Sequence, residues 1–295
     1  MVTPKNDSPV PTVALVGAGR VGTATAVLLE QAGYSIAGVG SRTPASAQQA
    51  AVRLGCPTFD YLSELPDCDL VLLGVSEQAI AETASRISPR LKEGTYVAHF
   101  AGSLGVAPLA AVSDVGGHPL ALHPVQVCPD VDNALKRLPG SFWGMTCDPQ
   151  SAHLAEKVVG DLKGTPVFVS EGDRPIWHAA AVTVSNGLAA LMAVGESMLA
   201  AIGIESPEIV LGPLAAGTIA NASDSGGGGA TLTGPIVRGE DFVTDRHLEA
   251  LQSKDPTLAH EYSFVAEMIV RAAANSGRID DTTAEAMLAR LRSKR

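Results

Sequence analysis

Aromatic residues are scarce in this chain, 4% of 295, and the hydrophobic 46% marks an alanine- and valine-rich globular protein. Basic residues are also outnumbered. Lys and Arg total 21 against 31 Asp and Glu, a formal net charge of −10. That balance argues against nucleic acid and anionic membrane surfaces as partners, while leaving room for a small anion in a local basic pocket. The four cysteines, Cys56, Cys68, Cys128 and Cys147, have no metal-ligand spacing. They fit a reduced, cytoplasmic protein with ordinary buried thiols and no metal site. No secretory signal, internal repeat, coiled-coil heptad or Ser-His-Asp arrangement is visible. Residues 1–12 are polar and proline-rich, so 1–11 are expected to form a disordered tail. The longest apolar run, 179–204, is interrupted by Ser185, Asn186, Gly187, Glu196 and Ser197 and lacks flanking basic clusters. It is expected to be a buried helix, not a membrane span.

What is present starts with Val13-Ala14-Leu15-Val16-Gly17-Ala18-Gly19-Arg20-Val21-Gly22. Four consecutive apolar residues bounded by glycine read as a buried parallel strand. The glycines then follow G-x-G-x-x-G spacing. Gly17 allows a tight turn, Gly19 a close approach of backbone to a pyrophosphate, and Gly22 close packing of the next helix. Backbone N–H groups at that helix start, from Gly19 through Arg20, Val21 and Gly22, would hold a dinucleotide diphosphate. A second strand, Ser35–Val39, ends at Gly40-Ser41-Arg42-Thr43, where an NAD-binding chain usually carries Asp or Glu. A guanidinium and two hydroxyls suit a 2′-phosphate instead, so Ser41, Arg42 and Thr43 predict NADP.

The remaining pattern is alternating. A helical stretch over 44–54 precedes strands at 70–75 and 95–100, with shorter strands at 120–123, 141–146 and 165–169. This predicts a doubly wound Rossmann domain, α/β with a parallel sheet and right-handed crossovers. Val75, Ser76 and Gln78 after the third strand, and Gly102 after the fourth, should lie beside the cofactor at the carboxyl edge. Beyond Gly172-Asp173-Arg174-Pro175 the sequence reads helical, over 176–202, 207–222, 241–253, 257–276 and 282–293. The expected organisation is therefore a Rossmann domain over 12–171 and an all-α substrate and dimerisation domain over 172–295. The glycine-rich segment 223–239 reads as a flexible loop.

Candidate chemistry sits on a few polar residues. His123 closes a strand at the ligand edge, where an imidazole can donate to a carbonyl oxygen or exchange a proton near neutral pH. It can equally be a structural histidine bonded to a loop carbonyl. His178, Ser185 and Asn186 interrupt the apolar surface of the long helix, His178 and Ser185 sharing one face. His123, Asn186 and His178 are the catalytic candidates, Ser185 and Arg238 the substrate-binding ones. Arg238 lies in Gly234-Pro235-Ile236-Val237-Arg238-Gly239 and suits a substrate carboxylate or phosphate. A bridge to Glu240 or Asp241 is the plain alternative.

Three motifs in order carry a resemblance: Leu122-His123-Pro124-Val125-Gln126, then Trp177-His178-Ala179-Ala180-Ala181 leading to Ser185-Asn186, then Thr233 through Gly239. The chain resembles the 6-phosphogluconate dehydrogenase-like superfamily. It is most similar to an uncharacterised bacterial branch of NADP oxidoreductase-like proteins that pair a Rossmann-like domain with a helical domain of unknown function. The resemblance implies a homodimer and hydride transfer between NADPH and a small carbonyl or imine substrate, a 2-keto acid such as ketopantoate being one candidate. The hydroxyacid members carry a catalytic Lys four residues before an Asn; position 182 here is Val. A protein that binds NADP without catalysis, as a sensor or partner protein, is the alternative.

Overall fold

A computed structural model describes residues 11–224 and 226–294, apart from the side chain of Asp241. The expected tail therefore lies, but for Pro11, outside the described residues. The chain divides into two compact units, Met1–Val182 and Thr183–Arg295, each described by itself.

The first unit alternates β1 (Thr12–Val16), α1 (Arg20–Gln31), β2 (Ser35–Gly40), α2 (Pro44–Leu54), β3 (Leu70–Leu73), α3 (Ile80–Ile87), β4 (Tyr96–His99), α4 (Ala110–Ser113), β5 (His118–Pro124), α5 (Val131–Arg137), β6 (Phe142–Cys147), α6 (Ala152–Asp161) and β7 (Thr165–Phe168). The strands form one sheet in the order β2-β1-β3-β4-β5-β6-β7. Strand alternation divides the core. Val13, Leu15, Leu70, Leu72, Leu120 and Leu122 face one helical layer, Ala14, Val16, Val71, Leu73 and Val97 the other. Helices cover both faces, so the central strands read as continuous apolar runs.

The pairings β1–β2, β1–β3, β3–β4 and β4–β5 are parallel, as expected of a doubly wound sheet. One feature corrects the expectation: β6 runs antiparallel to β5. The excursion through α5 leaves and re-enters at the same edge, where Val125 N–H donates to Phe142 O at 2.8 Å. β7 then pairs parallel with β6 through α6. The order reverses between β1 and β3, which opens a crevice at the carboxyl ends of those strands.

Helix α7 (Arg174–Ala200) begins in the first unit and ends in the second, the division falling between Val182 and Thr183. α8 (Pro207–Asp224), α9 (Asp241–Lys254), α10 (Pro256–Asn275) and α11 (Asp281–Ser293) follow. Ser223 and Asp224, expected in a loop, complete α8, and Gly228–Thr231 form a short 3-10 turn. The second unit's core is small: Ile236, Leu248, Ala266, Val270, Ala284, Met287 and Leu291. The expectation of a buried helix over 179–204 is corrected. Arg174 is the buried residue of α7, and α8 buries none. Val184 is 72% exposed, Ile209 70% and Leu214 67%. The helical stretch Glu171–Ala200, mean hydropathy 1.3, is long and apolar enough to cross a membrane. Its first turns, however, are built into the first unit through Arg174, Trp177 and His178, as described next.

Candidate active site

At the crevice between β1 and β3, a cleft of about 480 Å³ is lined by Gly17, Gly19, Ser41, Arg42, Thr43, Ser46, Tyr61, Val75 and Ser76, among others. Gly17 has φ +88°, which only glycine adopts without strain. Its Cβ, like that of Gly19, would fall within 3 Å of Gly74. At Gly19 the structure adds a second demand. Its N–H donates to Gly74 O at 2.8 Å, and a Cβ would lie 2.4 Å from that oxygen. Gly19 is thus required by the end of β3, whatever it also allows a pyrophosphate. Gly22 likewise packs on the Gly74 Cα and Leu15, as expected for close helix–strand contact.

The donors for an anion come from α1 itself. Its first turn holds no acidic residue and its Ncap Gly19 supplies no side-chain cap, so the N–H groups of Arg20, Val21 and Gly22 are left for a ligand. The Arg20 side chain is engaged elsewhere, donating to Pro129 O at 3.0 Å. The other end of the cleft has the same design. Thr43 is the Ncap of α2, its hydroxyl makes no cap bond, Pro44 follows, and the first turn is free of acid. Arg42 is exposed, with no ion pair to a described residue. Glu82, a carboxylate on the cleft wall, is tied to Arg86, which donates from Nε at 3.0 Å and Nη2 at 2.8 Å. Diphosphate and 2′-phosphate both fit these donors. Gln78 is exposed in the turn Glu77–Ala79 and is absent from the cleft wall.

The candidate chemical centre lies at the carboxyl ends of β4 and β5. His123 stands opposite Gly144 in the β5–β6 register. Trp177 Nε1, which can only donate, hydrogen-bonds His123 Nδ1 at 3.0 Å. The ring of His178 meets that of His123 edge-on, centroids 5.5 Å apart. Gly102 fills the remaining corner: a Cβ there would lie 2.2 Å from His178 Nδ1 and 2.9 Å from His123 Nε2. His178 Nδ1 is buried and has no hydrogen-bond partner among the described residues. Burial, followed by the charge of Arg174 and the neighbouring His178 and His99, lowers the pKa of His123 from 6.5 to about 4. The ring is therefore neutral at pH 7. Of the two capacities expected of His123, donation to an oxygen fits this environment, and proton exchange near neutral pH does not.

Residues that sequence reasoning passed over hold this centre in place. Arg174 is 0% exposed and donates to Ala101 O at 2.8 Å, Leu104 O at 2.9 Å and Gly144 O at 3.0 Å. Burial lowers its pKa to about 10, so it stays a cation. His99 bonds Gly105 O at 2.7 Å through Nε2 and accepts from Ala101 N–H at 3.1 Å, which shapes the turn carrying Gly102. Glu171 caps the next turn, accepting from Val106 and Ala107 N–H at 2.7 and 3.1 Å. Trp177 had one signal in the sequence, its place beside His178 in a short motif. Arg174 had none, because nothing local marks an arginine for burial by carbonyls distant in sequence.

Ser185 and Asn186 lie further along α7, in the second unit. Arg238 sits on the expected set backbone: Gly234 and Gly239 have φ +97° and +70°, and Glu240 N–H donates to Pro235 O at 2.9 Å. Its guanidinium forks onto Glu240, Nε at 2.7 Å and Nη2 at 2.9 Å, the plainer of the two expectations. Among the described residues no group of three metal ligands gathers.

Residues 3–124 match the Rossmann-like domain and residues 141–269 match DUF2520, a domain of unknown function. No curated protein matches the chain. Solved structures do. A candidate NADP oxidoreductase from Bacteroides fragilis is 22% identical with TM-score 0.72, covering 88% of this chain and 98% of its own. A reductive aminase from Aspergillus terreus, in complex with NADPH and ethyl-5-oxohexanoate, is 17% identical with TM-score 0.64, over 94% and 98%. An imine reductase from Myxococcus stipitatus, in complex with NADP⁺, is 17% identical with TM-score 0.63, over 94% and 100%. At these identities the likeness is one of fold.

Proposed function

We propose that this chain, a Rossmann-like domain joined to a DUF2520 domain, is an NADPH-dependent oxidoreductase acting on a carbonyl or imine of a small, anionic substrate. The observation that carries this reading is the carboxylate-free Ser41-Arg42-Thr43 at the β2 edge of a cleft running from the start of α1 to the start of α2. The NADPH and NADP⁺ complexes of the reductive aminase and imine reductase support it. The N–H groups of Arg20, Val21 and Gly22 would hold the diphosphate, and Ser41, Arg42, Thr43 and Ser46 the 2′-phosphate. Val75, Ser76, Gln78 and Gly102 are assigned to the nicotinamide half. When bound, the reduced nicotinamide supplies the hydride. His123 serves as donor to the developing oxyanion, with His178 and Asn186 as further polar candidates. Ser185 and Arg238 are assigned to the substrate, Arg238 exchanging Glu240 for a substrate carboxylate or phosphate.

The functional molecule is a cytoplasmic homodimer. Four free cysteines suit a reducing compartment. Apolar residues of α7 and α8 such as Val184, Ile209 and Leu214 stand exposed, and a second copy would cover them. Light scattering should return about twice 30.2 kDa; a monomer mass contradicts the dimer. The test of function is NADPH oxidation across a panel of 2-keto acids and cyclic imines. Turnover of at least one is expected. Tight NADPH binding with no turnover would favour the non-catalytic sensor, and absence of NADPH binding would contradict the reading altogether.

A further inference from the structure

Resting on that reading, the geometry around His123 points to the substrate class: we propose that the reducible group is a carbonyl and not an iminium, and that Trp177 is the positioning residue that decides it. An indole Nε1 always carries its hydrogen, so the 3.0 Å contact makes His123 Nδ1 an acceptor. The hydrogen of the neutral ring is then on Nε2. Nε2 has no partner among the described residues and lies beside Gly102, where even a methyl group would come within 2.9 Å. Any side chain at that position would collide with both imidazoles, so glycine is what lets His123 and His178 share this corner.

What such a donor can serve follows from its chemistry. A carbonyl oxygen offers lone pairs and gains negative charge during reduction. An iminium nitrogen offers an N–H and a positive charge, so it would face a donor with a donor. The charges point the same way. The groups acting on His123 are Arg174, His178 and His99, with no carboxylate among them. Arg174 is a buried cation that gives three of its hydrogens to uncharged carbonyls, with Glu171 as the one carboxylate acting on its charge. That surrounding favours an oxyanion and opposes a cationic substrate. A neutral imine fares no better, because its reduction without prior protonation leaves an amide anion, a far stronger base than an alkoxide.

A bound reduced nicotinamide would supply the hydride with its electron pair to the carbonyl carbon and would leave oxidised; the part of this chain is at the oxygen. The π pair of the C=O passes to oxygen, which His123 Nε2–H holds by a hydrogen bond. Water delivers the proton that completes the alcohol, and the ring keeps its own.

Two measurements test this. Nitrogen-15 NMR of histidine-labelled whole protein reads the tautomer without any turnover. His123 Nδ1 is expected at the unprotonated shift and Nε2 at the protonated one, and Trp177→Phe should collapse that difference. A protonated Nδ1 in the unaltered protein overturns the proposal. In kinetics with NADPH, aldehydes, ketones and 2-keto acids should exceed 1-pyrroline in kcat/KM by roughly 100-fold, and Trp177→Phe should lower kcat with little change in KM for NADPH. Preference for the cyclic imine overturns the substrate class while sparing the reductase reading. Failure of that reading looks different: neither class oxidises NADPH, which overturns both.

Discussion

The two units solve the problem of stability in opposite ways. In the first, β1 and β3 are almost fully buried on both faces, and the polar centre is held by a buried arginine and by histidines kept neutral. In the second, the core is a handful of side chains, while ion pairs tie its helices at the surface and α7 and α8 leave apolar faces bare. The first unit is complete in itself, so its altered residues should act on chemistry or on fold. The second leaves apolar faces bare, so its altered residues should act on association, apart from Ser185, Asn186 and Arg238, which are assigned to the substrate.

The sharpest way to break this contrast is at His123. His123→Ala should slow turnover roughly 10²–10⁴-fold while NADPH binding is nearly unchanged. Steady-state kinetics and a binding titration check both halves, and full activity would reduce His123 to a structural residue. Next in size is Arg174→Met, which strips the donors from Ala101, Leu104 and Gly144 carbonyls. Denaturant unfolding should show a loss of roughly 3 kcal/mol or more. A loss below about 1 kcal/mol would show the buried cation to be dispensable.

Acid should separate the units. Burial lowers the pKa of His99 from 6.5 to about 4, so the unfolded chain takes up a proton that the folded one refuses. Stability of the first unit is therefore full above pH 6.5 and falls as the pH drops towards about 4. In the second unit the partner Arg290 lowers Asp245 from 3.8 to about 2. That contribution persists until the pH falls below about 4 and disappears near 2. Loss at a higher pH in the first unit, followed by hydrogen exchange, is the expected order; the reverse would mean the ion pairs are the weaker device. Smallest of all is Arg238→Ala. Its pair with Glu240 is more than half exposed on the arginine side, so denaturant unfolding should show stability nearly unchanged, and a clear loss would contradict this.

The same contrast governs what the sequence disclosed. The strands of the first unit were legible because burial on both faces writes an unbroken apolar run, as at Val13–Val16 and Leu70–Leu73. The glycine loop and Ser41-Arg42-Thr43 were legible because their tasks are local. The reversal of β6 was not, since an apolar run carries no direction. The contact of Gly19 with the Gly74 carbonyl was not legible, because Gly74 is distant in sequence. Trp177 and Arg174 escaped for the same reason: their partners His123 and Gly144 come together only through the sheet. In α7 an apolar run was read as buried. Composition shows that a surface avoids water, and it does not show whether this chain or another copy covers it.

The claim on which everything else rests is that the first unit's cleft holds a 2′-phosphorylated dinucleotide. Calorimetric titration of the whole protein with NADPH and NADH, repeated on Arg42→Ala, tests it most directly. NADPH should bind more tightly than NADH by roughly tenfold or more, and Arg42→Ala should weaken NADPH alone, by roughly 1.5–3 kcal/mol. Equal affinity for the two cofactors in the unaltered protein would contradict it.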